Sequence, residues 1–335
     1  MIAGLLGVGV SAAGAGEAGL ERFQFTRTEM AVPMKIVLYA PTEAAASRAA
    51  EAAFARIHEL GTLLSDYDPQ SELRRLGNAA AEGKPVPVSE DLWRVLWQAQ
   101  ILSRRSEGAF DVTVGPVVRL WRRARRRHEL PPPDQLQSAR ELVGYQLIRL
   151  DARHHGVELL KPEMRLDLGG IAKGYAIDEA LAVLQGRGIK RALVDAGGDI
   201  ALGDPPPGKP GWRIGIARLE ADGPPTRVLL LANTAIATSG DTWQYVEVGG
   251  RRYSHIVDPR TGLGLTDHSS VTVVAPQGIL ADGLASAVSV LGPEKGLKLI
   301  EETPGAAALI VRAPRGKVET YESSGWRDLP SASPK

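Results

Sequence analysis

LDLGGIAKGYAID, running from Leu166 to Asp178, is the stretch on which the reading of this chain turns. Its first residues read as a short apolar strand, Gly169 and Gly170 break it, and from Ile171 the pattern is that of a helix reaching about Leu184, stopped by Gly186 and Gly188. Paired glycines ahead of a helix let main-chain groups approach a ligand closely, and a helix N-terminus favours an anion. Asp167 stands at the strand end as an oxygen acceptor, and Lys173 adds a point charge one turn on. The spacing is neither GxGxxG nor GxxxxGK[ST], which excludes the dinucleotide fingerprint and the P-loop. On these residues alone the segment is either a phosphate-facing turn or an ordinary glycine turn before a packed helix.

Composition narrows the class around it. A chain of 335 residues exceeds one typical domain, so two lobes are the expectation, and it is long enough to bury a large core. Hydrophobic residues make up 44% and charged residues 24%, as in an ordinary globular enzyme, and a net charge of +1 gives no reason to expect a nucleic-acid partner. The absence of cysteine excludes disulfides, thiolate metal sites, cysteine nucleophiles and a lipid-modified N-terminal cysteine. Residues 2 to 15 are small and apolar, end in Ala13-Gly14-Ala15 and are too few to span a bilayer as a helix. The segment 1–22 therefore reads as the remnant of an export signal or as a flexible tail, 23–329 as the working domain and 330–335, rich in Ser and Pro, as a disordered end.

Strand and helix patterns mix along the chain. Phe23 to Tyr39 alternates, as two short strands or one bent at Pro33. Thr42 to Leu64 and Val88 to Ser106 carry apolar residues three or four apart, with Thr42 and Ser89 as N-caps. After Gly115-Pro116 comes VVRLWRRARRRHEL, either a phosphate or membrane patch or a solvated helix beside a proline loop from Pro131 to Pro133. Strand patterns from Trp212 to Ala275 suggest one large sheet, closed by a helix from Ile279 to Leu291. Without strict βαβ alternation the fold class is α+β, with mixed, largely antiparallel sheets and packed helices.

Three further features carry chemistry. Asp282 and Ser286 lie four apart on one helix face, a carboxylate and a hydroxyl at adjacent heights. They are either hard-cation ligands or a first-turn helix charge beside a neutral neighbour. His255 ends a strand ahead of the turn DPRTG and is either structural or a proton carrier near neutrality. Tyr67, in the polar loop SDYDP, offers a ring for stacking or is a loop tyrosine half packed on the sheet.

Taken in order, Met30, Ser65 to Tyr67, GAFDVTVGP from Gly108, LDLGGIAKGYAID, DAGGDI from Asp195, ATSGD from Ala237, HIVDPRTG from His255 and ADGLAS from Ala281 resemble the FAD:protein FMN transferase family, also called the ApbE family. The resemblance runs from about Met30 to about Leu291. It implies a two-lobed α+β fold and Mg²⁺-dependent transfer of the FMN half of FAD to a threonine of an acceptor protein, with release of AMP. It implies that Met30, Tyr67, Ala109, Phe110, Asp111, Asp167, Lys173 and Ile256 contact FAD, with Ser239, Gly240 and Asp241 as weaker candidates. It also puts His255 beside the scissile phosphoryl group and gives the Mg²⁺ shell to Asp282, Ser286 and the main-chain carbonyl of Gly170. Asp258 is the expected partner of His255 or of the metal shell. The chain departs from the family pattern at Met30-Ala31-Val32, where Met-Gly-Thr is usual, at Ser286, where Thr is common, and at SELRRLGN, which carries an extra residue. An FAD pyrophosphatase and a non-catalytic flavin carrier are the rival readings, and the expected location is the periplasm or the outer face of the inner membrane.

Overall fold

The computed structural model describes residues 19–79, 84–217, 219, 225–241 and 244–333. Most of the expected export segment, 1–18, lies outside the described residues. The chain then opens as a hairpin, Glu21–Glu29 paired antiparallel with Val32–Ala40, so the first pattern is two strands. Their turn is Met30-Ala31, both at positive φ (48° and 63°), which gives the twist that a two-residue hairpin needs.

This hairpin forms one edge of an eight-stranded sheet. The sheet continues through Ala192–Ala196, Ile200–Leu202, Thr234–Gly240, Ser269–Ala275, Ala307–Arg312 and Glu319–Glu322, every neighbour antiparallel. Side chains alternate between its faces. Ile36, Leu38, Val194 and Ala196 bury against helices, while Val37, Leu193, Ile236 and Val274 bury on the other side.

The helices are α1 (Glu43–Leu63), α2 (Glu72–Ala79), α3 (Glu90–Arg105), α4 (Gly115–Arg127), α5 (Pro133–Arg140), α6 (Ala172–Gly186), α7 (Gly278–Glu301) and α8 (Ser324–Arg327). The expected caps form: Thr42 Oγ1 accepts the Ala45 N–H at 3.2 Å, and Ser89 Oγ accepts that of Leu92 at 3.3 Å. The expected end of α7 at Leu291 coincides with a break at Gly292 (φ 74°), after which Pro293 starts a second helical stretch that the same range takes in. Helices α1, α6 and α7 cover one face of the sheet. Arg56 of α1 ties three helices together, donating to Asp91 of α3 at 2.9 Å and to Glu179 of α6 at 2.7 Å, while Tyr175 of α6 donates to Asp91 at 2.7 Å.

The strand patterns between Trp212 and Ala275 do not join one sheet. Trp212–Ile216 and Arg227–Leu231 bury Trp212, Ile214, Ile216 and Leu229 against the outer face of the large sheet as a separate layer. The end of the chain joins that layer: Ser331–Ala332 pairs with Arg227–Leu231, and Leu230 N–H donates to the Pro330 carbonyl at 2.8 Å. The open edge of Arg227–Leu231 offers this end of the chain the main-chain groups it pairs with. Tyr245–Val248 and Arg251–Ser254 form a separate hairpin that packs with α4 and α5 in a satellite core around Trp121, Val246 and Tyr253.

Leu166 and Leu168 are buried, but the segment they bound belongs to no sheet. Asp167 N–H donates to the Val112 carbonyl at 2.8 Å. Val112 lies in a single 3-10 turn, Val112–Val114, which offers one acceptor and no strand edge.

Candidate active site

The glycine-rich segment delivers α6 against α7, and the two helices meet at glycines. A methyl group on Gly278 would stand 2.5 Å from the Gly174 carbonyl oxygen, closer than packed atoms approach. Asp178 of α6 caps α7 from outside, accepting the N–H groups of Gly278 at 2.6 Å and Ile279 at 2.9 Å. These contacts fix the register of Lys173 and Gly174 on α6 against Asp282 and Ser286 on α7.

Asp282 is buried and accepts the Gly174 N–H at 3.0 Å. Burial, reinforced by the nearby Asp199 charge, pushes its carboxyl up to about 7. Ser286 Oγ lies against Gly170, where an added Cβ would come within 2.7 Å of it and 3.4 Å of the Phe110 ring. Lys173 pairs with Asp199, which is buried. Burial works against the ammonium charge, but the Asp199 and Asp282 carboxylates outweigh it and raise its pKa.

A second group surrounds Asp167. Arg122 of α4 bonds the carboxylates of Asp66 and of Asp167, the latter at 2.8 Å, and its guanidinium lies 4.3 Å from the centre of the Tyr67 ring. Burial, with the Asp66 charge in the same sense, raises the Asp167 pKa, and Arg122 pulls against both.

His255 is the third. Its Nδ1 lies 3.1 Å from the Gln244 main-chain carbonyl. A carbonyl only accepts, so Nδ1 carries the hydrogen and Nε2 keeps its lone pair. Burial lowers the imidazole pKa against the bond to Gln244, with Arg125 and Lys173 acting in the same direction as burial, which favours the neutral ring.

The expected residues thus separate by environment. Gly170, Asp282, Ser286, Phe110 and Lys173 converge along the α6–α7 seam, Tyr67 and Asp167 share Arg122, and His255 feels the Lys173 charge. Ala109 is buried, as is Asp111, which caps the turn after it by accepting from Thr113 N–H at 2.9 Å and Thr113 Oγ1 at 2.7 Å. Met30 rests on α1, where a Cβ on Gly61 would stand 3.1 Å from its Cγ. Ile256, half-buried, receives Leu265 N–H on its carbonyl at 2.9 Å. Asp241, a weaker candidate, is buried between Arg252 and His268, each at 2.7 Å. Asp258 bonds Arg260 at 2.9 Å, and the partner of His255 is the Gln244 carbonyl. A short DPRTG turn directs the Asp258 carboxylate to its own loop.

Arg122, Asp199 and Asp178 were not singled out from the sequence as site residues. Asp199 lies in the quoted DAGGDI motif, which was its only signal. Arg122 was hidden inside a run of arginines, and a cap donated by another helix leaves no sequence signature.

A hard divalent cation fits the seam. Among the described residues no cluster of three or more His, Asp or Glu side chains could hold a metal. One buried carboxylate, one hydroxyl and main-chain carbonyls remain, a sparse oxygen set of the kind Mg²⁺ accepts when water and substrate phosphates complete its shell.

A buried carboxylate and a hydroxyl one turn apart on α7, beside a paired ammonium on α6, are the groups that an enzyme of phosphoryl transfer needs to meet a hard cation and a phosphate. The chain belongs to the ApbE family, whose model matches residues 30–310. It is 36% identical to a FAD:protein FMN transferase of Haemophilus influenzae, over 82% of this chain and 81% of that protein. It is 34% identical to one of Treponema pallidum, over 86% and 84%. Among solved structures, the flavin transferase ApbE from Vibrio cholerae superposes with a TM-score of 0.82 at 29% identity, covering 92% of this chain and 99% of that one. The Pseudomonas stutzeri flavinyl transferase ApbE gives 0.81 at 31%, covering 94% and 98%.

Proposed function

We propose that this enzyme transfers the FMN moiety of FAD to a threonine hydroxyl of an acceptor protein and releases AMP. The observation that carries the reading is the α6–α7 seam, where Asp282, Ser286 and Gly170 lie beside the Lys173–Asp199 pair. The family and the activity named for its relatives agree with it.

Asp282, Ser286 and the Gly170 carbonyl would hold Mg²⁺, which supplies positive charge to the pyrophosphate when bound. Lys173 adds a second positive charge, kept in place by Asp199. The acceptor hydroxyl attacks the FMN-side phosphorus, the bond from that phosphorus to the bridging oxygen breaks, and AMP leaves with that oxygen. His255 takes the hydroxyl proton on Nε2, the nitrogen that the Gln244 carbonyl leaves free. The Arg122-held Tyr67 ring stacks on an aromatic part of FAD.

Among the described residues no helix is long and apolar enough to cross a membrane. We place the reaction in the periplasm or on the outer face of the inner membrane on the strength of the apolar stretch 2–15. The decisive experiment incubates the protein with FAD, Mg²⁺ and a threonine-bearing acceptor. A fluorescent covalent band on the acceptor supports transfer. Free FMN without that band means hydrolysis, and intact bound FAD means carriage.

A further inference from the structure

We propose that Arg122 is a positioning residue for the substrate: it holds the Tyr67 ring as a preformed stacking platform beside the glycine-rich segment. The inference rests on the reading that Tyr67 meets FAD.

Arg122 has three partners from two distant parts of the chain. Asp66 and Tyr67 come from the loop after α1, and Asp167 comes from the segment that leads into α6. The Arg122 side chain is only 23% exposed, and that of Asp167 only 9%, so the clasp is largely sheltered from solvent. Tyr67, by contrast, is 74% exposed. A phenol ring that open has no packing of its own to choose a rotamer. It is held from one side, by a planar cation 4.3 Å from its centre, and the other face remains for a second flat group. The loop beneath is tightened by Ser65 Oγ, which accepts the N–H groups of Tyr67 at 3.2 Å and Asp68 at 3.1 Å.

Only arginine suits this place. Its fork satisfies two carboxylates while its flat face meets the ring, whereas a lysine ammonium is a point charge without a face. Asp66 and Asp167 repel one another, and Arg122 is the cation that joins them. Fixing the ring before substrate arrives removes an ordering cost from binding rather than from the chemical step. The signature is therefore in FAD affinity, not in turnover.

The test is a double-mutant cycle on FAD binding, read by flavin fluorescence titration with Mg²⁺ present and no acceptor. The variants are Arg122→Ala, Tyr67→Ala and the pair. Arg122→Ala is expected to weaken FAD binding about fivefold to tenfold and, in a separate transfer assay with acceptor at saturating FAD, to leave kcat within about twofold. The pair is expected to bind within about twofold of Tyr67→Ala alone, since a platform already removed cannot be misplaced. Additive losses, or unchanged binding in Arg122→Ala, would overturn the proposal. Should Arg122→Ala not fold, Arg122→Lys takes its place in the cycle and is expected to bind FAD more weakly than the parent. Binding equal to the parent in that variant would also overturn it. If the parent binds FAD but labels no acceptor, the transferase reading fails while the cycle still decides the role of Arg122.

Discussion

Gly174 and Gly278 meet backbone to backbone where α6 crosses α7, and that contact sets the spacing of the candidate site. A methyl on Gly174 would collide with the Gly278 carbonyl and stand 2.8 Å from the Asp282 Cβ. Gly174→Ala should therefore part the helices, with a loss of about 1–3 kcal/mol or more and a larger proportional loss of transfer. Gly186, near the end of the same helix, has no atom within 4 Å of its would-be Cβ. Gly186→Ala should be neutral or stabilising by about 0.5–1 kcal/mol. Denaturant midpoints of the two variants check this, and equal losses would mean that α6 resents any added methyl.

Asp178 supplies the cap that starts α7. Removing it in Asp178→Ala leaves two helix N–H groups without their acceptor, at a cost of roughly 0.5–2 kcal/mol. The pH dependence is also distinctive. Burial pushes the Asp178 carboxyl up to about 6, despite the two N–H groups that favour the anion. The folded protein thus binds a proton more tightly than the unfolded chain, so this group's contribution is full below about pH 4 and is lost as pH rises through about 6. Asp178→Asn does not titrate. Its stability should decline less than the parent's between pH 4 and 6, and parallel curves from thermal melts would contradict the assignment.

The hairpin turn stores strain at a known place. Ala31 sits at φ 63°, a conformation that costs an ordinary residue roughly 1–2 kcal/mol and glycine almost none. Glycine also gains more freedom in the unfolded chain, so Ala31→Gly should stabilise by a net of about 0.5–1 kcal/mol. Urea denaturation reads it directly, and a destabilised variant would show that the strain is relieved elsewhere.

His255 should set the acid limb of the transfer rate. Its pKa is lowered by burial first, so the neutral base persists as pH falls, and the rate should drop only below the ordinary histidine range near 6.5. His255→Ala should abolish transfer and leave FAD affinity within a few-fold, because the proton moves only in the transition state. Transfer persisting near the parent rate would move the base to another residue.

The sequence was most legible where one residue carries its own signal. Thr42 and Ser89 cap helices because their side chains reach backbone groups three residues on, and the strand alternation of Ile36, Val37 and Leu38 gives the two faces of the sheet. Lys173, Asp282 and Ser286 were singled out because their motifs are local. What stayed hidden depends on chain-distant pairing. Asp178 reaches a helix 100 residues away, and Arg122 sits among arginines identical in type but turned elsewhere. Leu166 to Leu168 looked like a strand because burial makes any short apolar run look so; the absent partner edge is a tertiary fact.

Asp282 decides whether the seam is a metal site. It would be the only anionic protein ligand, beside a neutral hydroxyl and a neutral carbonyl, so most of the pull on Mg²⁺ should come from its charge. Asp282→Asn keeps the shape and an oxygen that can still accept the Gly174 N–H but deletes the charge. Apparent Mg²⁺ affinity should fall steeply, with part of the activity returning at high Mg²⁺. Asp282→Ala should show no such return, since it also leaves that buried N–H without its acceptor. Ser286→Ala should be milder than either, because water can take the vacated place on an ion that keeps several. Transfer rate against Mg²⁺ concentration for the parent and these variants separates the cases. Superimposable curves would make Asp282 a buried acid that only anchors α6 to α7, and the metal would have to be sought elsewhere in the chain.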